Sequence, residues 1–152
     1  MKTKFFSFVL LAFLTFINFS CSSDDNATPA AINTSVFTAT IGSESFSTND
    51  VLLGQVSAGG TQGFIATGTN GKSFSSALFP SQFPIGVATN IAYSSSMSYR
   101  VGDDLYIPVS GTMTLTIMEN YQHMKGSFSG VFQGGNPAQQ LEISGEFDVS
   151  NP

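Results

Sequence analysis

Cysteine, histidine, tryptophan and positive charge are all scarce in this chain of 152 residues. There is one cysteine, Cys21, one histidine, His123, and no tryptophan. A single thiol excludes an intramolecular disulfide and a thiolate zinc site, and any catalytic triad with a histidine would have to use His123. The lack of tryptophan excludes a tryptophan platform for sugar rings. Stability must therefore come from an apolar core without cross-links.

Positive charge is also rare, since five Lys and Arg residues oppose ten Asp and Glu residues. A surface with so few cations cannot neutralise many phosphates, so nucleic acid is excluded as a partner. The same imbalance argues against electrostatic attachment to anionic lipid headgroups. Contact with a membrane would need another means of attachment.

The first twenty residues have the organisation of a secretory signal peptide. Lys2 and Lys4 provide a positive start, and residues 5–19 are almost wholly apolar. Ser20 is a small residue directly before Cys21, where a signal peptidase would cut. The apolar run is shorter than the about 20 residues that a membrane span requires. We therefore expect removal of this segment, with an uncleaved anchor or a plain secreted protein as the alternatives.

The position of Cys21 after this segment resembles a bacterial lipoprotein signal, in which the cysteine is acylated and becomes the mature N-terminus. The residues that follow, 22–25, are similar to the start of mature lipoproteins from Bacteroidota, especially flavobacteria. In that group an acidic stretch at this position directs display on the outer face of the outer membrane, and Asp24 and Asp25 would carry that signal here. The resemblance implies attachment to a membrane through the lipid. The alternatives are a solvated tether whose acidic residues carry no export signal, and a location on the periplasmic face of the outer membrane.

Three parts follow along the chain. Residues 1–20 are the signal peptide, residues 21–34 a polar, acidic tether without apolar periodicity, and residues 35–152 one domain. After removal of the signal peptide, the chain keeps all ten acidic residues but only three cationic ones, which are Lys72, Arg100 and Lys125.

Alternation of apolar and polar residues predicts three consecutive strands at the C-terminal end, over about 112–117, 125–133 and 141–150. Turn-rich segments at 119–122 and 134–137 join them, so we expect an antiparallel meander.

Shorter strand patterns precede the meander, and no segment has a sustained helical period with caps. The predicted strands are 36–41, 51–56, 63–67, 72–79, 93–101 and 105–109. Asn70-Gly71 predicts a type I′ hairpin, and Gly102-Asp103-Asp104 predicts a turn rather than a calcium loop. About nine short strands favour an all-β domain, either an antiparallel β-sandwich or an up-and-down barrel.

The meander carries a second resemblance. The segments 110–117, 125–132 and 143–149 together resemble small β-rich lipoproteins of unknown function that are abundant in Bacteroidota. This resemblance implies the all-β fold and the envelope location, and it offers no catalytic residues.

Aromatic residues near a proline-rich loop are the candidate ligand contacts. Phe79 and Phe83 lie beside Pro80 and Pro84, and Tyr93 and Tyr99 follow; aromatics on rigid loops commonly contact sugars, peptides or lipids. The alternative is that these side chains fold back and cap one end of the domain.

Titratable residues do not form a convincing catalytic set. Glu142, Glu146 and Asp148 share one face of the last strand, which alternation places toward solvent, and His123 falls in a predicted loop. We therefore expect no metal and no cofactor.

The predicted function is a non-enzymatic binding or accessory module, lipid-anchored at the bacterial outer membrane and displayed at the cell surface. A glycan, a peptide or an envelope protein is the expected partner. The alternatives are a surface hydrolase that uses acidic residues or His123, and a purely structural envelope protein.

Overall fold

Antiparallel β-strands account for all the regular structure that the computed structural model describes, which covers residues 34–55, 61–78, 81–93 and 97–151. Ten strands are present: β1 (Val36–Ile41), β2 (Glu44–Thr48), β3 (Val51–Gln55), β4 (Gln62–Thr67), β5 (Lys72–Ser76), β6 (Ala88–Asn90), β7 (Met97–Val101), β8 (Asp104–Glu119), β9 (His123–Gly134) and β10 (Gln139–Ser150). The predicted all-β fold class is confirmed.

The strands form one sheet that nearly closes into a barrel. Its order is β2-β1-β10-β9-β8-β7-β5-β4-β3, and β6 pairs with β8 outside this path. Side chains connect the end strand β2 to β5, the third strand from the other end of the sheet: Lys72 Nζ lies 2.5 Å from Glu44 Oε2, and the rings of Phe46 and Phe74 are 5.3 Å apart. Strand β2 therefore reaches β5 without a backbone ladder between them.

The C-terminal meander is confirmed, because β8 pairs with β9 and β9 pairs with β10 in antiparallel register. The two strands predicted at 105–109 and 112–117 are instead one strand of 16 residues, β8. Its register with β9 shifts between Pro108 and Ser110. A proline cannot donate to the ladder, so the irregularity is absorbed as a bulge and the strand continues beyond it.

Two strands have no counterpart in the sequence prediction. Strand β2 has only one inward apolar residue, Phe46, among polar neighbours, and β6 is three residues long. Both are held by strands beside them, β1 for β2 and β8 for β6, rather than by a pattern of their own.

The Asn70-Gly71 hairpin is confirmed. Both residues have positive φ, 59° and 69°, as a type I′ turn requires, and the turn connects β4 to β5.

Aromatic side chains fill the interior of the barrel. Phe37 is fully buried, and its ring lies 4.7 Å from that of Phe74 and 5.6 Å from that of Phe64. Phe64 in turn contacts Phe147 at 4.9 Å, which joins β4 to β10 across the core. The centre of this barrel is thus packed with side chains, and several open recesses lie on its outer surface.

The described residues all belong to one compact unit. Among them there is no helix with the length and apolar character needed to cross a membrane.

Candidate functional site

The predicted aromatic contacts do not come together at the surface. Tyr99 points inward from β7, is 3 % exposed and stacks at 4.8 Å on Phe74, and Phe83 is 5 % exposed. Neither side chain presents a surface to a ligand, because inward positions of the sheet and the folded-back loop bury both. Tyr93 is exposed, at 79 %. Phe79 lies outside the described residues.

The residues predicted for anchoring and display, Cys21, Asp24 and Asp25, also lie outside the described residues. Their roles remain predictions from the sequence.

The outer face of β2, β1, β10, β9 and β8 presents rows of short hydroxyl side chains. We name it the hydroxyl face and define it by these residues: Thr38, Thr40, Ser45, Ser47, Thr112, Thr114, Ser127, Ser129 and Ser144. Strand alternation turns each of them outward, opposite an inward core residue. Only the threonines of β8 are recognisable as an outward ladder in the sequence; the remaining members come from strands that lie far apart in the chain.

Register aligns these hydroxyls into two rows that cross the sheet. One row runs through Ser47, Thr38, Ser127 and Thr114, with the carboxylate of Glu146 between Thr38 and Ser127. The other row runs through Ser45, Thr40, Ser144, Ser129 and Thr112. Since neighbouring strands are about 4.8 Å apart, donors and acceptors recur at that interval along each row.

Three adjoining grooves lie on this face. The largest, about 540 Å³, is lined by residues of both rows, including Thr38, Ser127 and Ser144. A second of about 430 Å³ shares Thr38 and Ser127 and reaches Lys125, and a third of about 400 Å³ shares Ser144 and reaches Glu142. Shared lining residues make the grooves neighbours on one continuous surface.

An ion cluster borders the second groove. The Asp148 carboxylate accepts hydrogen bonds from Lys125 Nζ at 2.7 Å and lies 2.7 Å from His123 Nε2. The hydrogen bond from Lys125, followed by that of His123, holds the pKa of Asp148 below its ordinary value. His123 is the first residue of β9 and not a loop residue as predicted, because the strand begins two residues before the predicted start at 125 and His123 pairs with Ser150 of β10.

The acidic residues of β10 do not converge on a reaction centre. Glu142 and Glu146 are exposed, as alternation predicts, and the Asp148 carboxylate contacts both Lys125 and His123. Within the described ranges, no three His, Cys, Asp or Glu side chains are grouped so that they could hold a metal ion. Asp103 lies in the predicted turn, between β7 and β8. The chemistry that this surface offers is hydrogen bonding through hydroxyls and carboxylates.

Comparison of the chain with protein-family models, with curated proteins and with solved structures finds no significant match.

Proposed function

We propose that this protein is a lipoprotein of the bacterial outer membrane, lipid-anchored through Cys21 and displayed at the cell surface, whose β domain is a non-enzymatic binding module. The observation that supports binding is the hydroxyl face with its three adjoining grooves. The lipid anchor and the cell-surface location are supported by the sequence of residues 1–25.

The chemistry of the hydroxyl face favours a polar, extended ligand such as a glycan or a peptide. Each hydroxyl both donates and accepts, so it can match the mixed donors and acceptors of a sugar or a peptide backbone. Glu142 and Glu146 are exposed beside the grooves and would repel polyanions. Neutral or amine-bearing ligands are therefore the class that we expect.

Permanent attachment follows from lipid chemistry. Each buried methylene adds about 0.8 kcal/mol and one acyl chain holds only marginally, so several chains on Cys21 would be needed to hold the domain at the membrane. The polar residues up to 34 would then act as a tether.

Protease accessibility on intact cells tests the proposed location at the cell surface. We expect added protease to remove the domain from cells that express the parent chain, and to spare it in the Asp24→Ala/Asp25→Ala variant. Cys21→Ala is expected to release the protein from the membrane fraction. Protection of the parent chain in intact cells, with digestion after lysis, would contradict surface display and favour the periplasmic face.

A binding screen tests the module. Soluble glycans and peptides are titrated against the full chain in detergent, and a saturable, stoichiometric ligand is the expected result. Ser127→Ala/Ser144→Ala removes two hydroxyls from the largest groove and should weaken binding about tenfold. Ser81→Ala, which changes an exposed serine that lines none of the three grooves, is the matched control and should bind like the parent. Equal affinity for all three proteins would contradict this face as the site.

A hydrolase is the second candidate, and the 2.7 Å contact between His123 and Asp148 is the observation that favours it, because a carboxylate can orient a histidine base. Any hydrolysis found with ester, peptide or glycoside substrates should then be lost in His123→Ala and in Asp148→Asn. Full retention of that activity in both variants would exclude this candidate.

A further inference from the structure

Two buried polar side-chain atoms have no hydrogen-bond partner in the described part of the chain: Oε1 of Gln62 and Oγ of Ser76. The two residues are 3 % and 5 % exposed. Folded proteins rarely bury a polar group without a partner, because the group loses its hydrogen bonds to water and gains none in return. Two such atoms close together therefore indicate that a further molecule belongs between them.

The two atoms lie on the same inward face of neighbouring strands. Gln62 of β4 forms a bridge with Leu78, just beyond β5, and this bridge has the same register as the Ile65–Ser75 pair. Ser76 is therefore the diagonal neighbour of Gln62, a relationship in which the Cα atoms are about 7–8 Å apart. The structure has no direct hydrogen bond between the two side chains, and one small molecule spans such a gap with two hydrogen bonds.

Apolar side chains surround the Ser76 hydroxyl. Phe64 of β4 lies opposite Ser76 in this register, and Met97 is its direct partner on β7. Phe64, Leu78 and Met97 are almost wholly buried, and none of these side chains donates a hydrogen bond. A serine among such large neighbours leaves room for a small polar molecule.

A third polar group fixes the orientation of the Gln62 amide. Nε2 of Gln62 donates to Oδ1 of Asn120, at 3.4 Å, in the turn between β8 and β9. The amide nitrogen is thus directed to Asn120, and Oε1 is the atom that has to accept a hydrogen bond from elsewhere. The hydroxyl of Ser76 both donates and accepts.

We infer that one buried water molecule bridges Gln62 Oε1 and Ser76 Oγ inside the barrel. The water donates one hydrogen to Oε1 and makes a second hydrogen bond with the Ser76 hydroxyl, so that both atoms gain a partner. Gln62, Ser76 and Asn120 are all neutral, so a water molecule fits this site, whereas a buried ion would lack a compensating charge.

The water supports a polar link between strands that do not pair with each other. Strand β4 and the β8–β9 turn are separated in the sheet order by β5 and β7, and the hydrogen bond from Gln62 to Asn120 joins them. The same turn is bound to the C-terminal end of the domain, where Asn151 N donates to Gln122 O. By holding the Gln62 amide in place, the water stabilises this end of the barrel from the inside, apart from the hydroxyl face.

A high-resolution crystal structure of the full chain tests the water directly. We expect a solvent peak within hydrogen-bond distance of both Gln62 Oε1 and Ser76 Oγ. Absence of that peak would overturn the proposal, and so would a hydrogen bond from either atom to another protein group in its place.

Ser76→Ala tests the water in solution, because a bridged and an unpaired hydroxyl predict opposite changes. Removal of a bridged hydroxyl leaves the water with one partner fewer, so the melting temperature should fall by about 3–5 °C. Removal of a hydroxyl that has no partner would instead raise the melting temperature, since its desolvation is no longer opposed to folding. Ser73→Ala, on the outward face of the same strand, is the matched control and should melt like the parent.

A double variant tests whether Ser76 acts together with Gln62. Gln62→Met removes the acceptor of the water, so the fall in melting temperature caused by Ser76→Ala should be less than about half as large in that background. Circular dichroism checks that Gln62→Met keeps its fold. A Ser76→Ala variant that melts at or above the temperature of Ser73→Ala, or an equal fall in both backgrounds, would overturn the bridging water.

Discussion

His123 and Asp148 face each other diagonally across β9 and β10, with 2.7 Å between Nε2 and Oδ1. Asp148 is also the direct register partner of Lys125, whose Nζ lies 2.7 Å from Oδ2. Each carboxylate oxygen therefore has its own hydrogen-bond partner, and both hydrogen bonds stabilise the ionised form of the acid. This arrangement makes the pH dependence of stability predictable.

Asp148→Asn should lower stability at pH 7 and leave it unchanged in acid. The pKa of Asp148 is lower in the folded than in the unfolded chain, mainly through the hydrogen bond from Lys125. The stabilisation is thus present above the unfolded-state pKa, near 3.8, and is lost as pH falls through the lower folded-state value. Since the side chain is 45 % exposed, solvent screening limits the effect to about 0.5 kcal/mol.

Urea unfolding at pH 7 and at about pH 2 measures this difference. Glu142→Gln, an exposed acid on the same strand, is the control and should change neither midpoint. An Asp148→Asn variant as stable as the parent at pH 7 would show that the ion cluster contributes nothing to folding.

Phe37→Ala should cost about 3–5 kcal/mol of unfolding free energy. The ring is fully buried and contacts four other phenylalanines of the core: Phe46, Phe64, Phe74 and Phe128. Val36→Ala, one residue earlier on the same strand but 39 % exposed, is the control and should cost less than about 0.5 kcal/mol. Equal losses would mean that β1 does not present alternate faces to core and solvent.

Gly126→Ala and Gly54→Ala should have opposite outcomes although both glycines lie within strands. A Cβ at Gly126 would stand 2.5 Å from the carbonyl oxygen of Thr114 and 2.8 Å from the ring of Phe147, so the strands must separate locally, at a cost of about 1–3 kcal/mol. Open space surrounds Gly54, and alanine there should be neutral or stabilise by about 0.5 kcal/mol. Thermal melting of the two variants beside the parent distinguishes these results.

Gly71→Ala should destabilise the hairpin between β4 and β5. Its φ of 69° lies in the left-handed region, which costs a residue with a Cβ about 1 kcal/mol. Thr69→Ala, in the same turn region, is the control. The difference in denaturation midpoint between the two variants is the measurement, and equal midpoints would contradict a strained position at residue 71.

Local pattern was sufficient to predict most of the strands. Alternation in 141–150 places Ile143, Phe147 and Val149 inside and Glu142 and Glu146 outside, and all five lie as predicted. It fails for β2 and β6, whose own residues carry little periodic signal and whose pairing depends on neighbouring strands. It also divides β8 in two at Ser110-Gly111, where the apolar alternation is interrupted, whereas the observed strand continues through both residues.

The candidate sites depend on tertiary structure more than the strands do. Sequence offered Phe83, Tyr93 and Tyr99 as candidate surface aromatics, yet inward orientation buries Tyr99 and the loop folds Phe83 into the core. The hydroxyl face combines residues that are more than one hundred positions apart, such as Thr38 and Ser144, which only strand pairing brings together.

Sequence by itself determined what is local or compositional in this protein: the all-β class, the meander, the Asn70-Gly71 hairpin and the exclusion of disulfides and thiolate sites. These depend on residue type and on a period of two, which the chain displays without folding. Tertiary structure alone decided that the sheet curls until β2 reaches β5, that phenylalanine rings fill its interior, and that hydroxyl side chains from five strands meet on one outer surface. Such relationships depend on long-range pairing and packing, whose free energy is shared among residues that no local pattern connects.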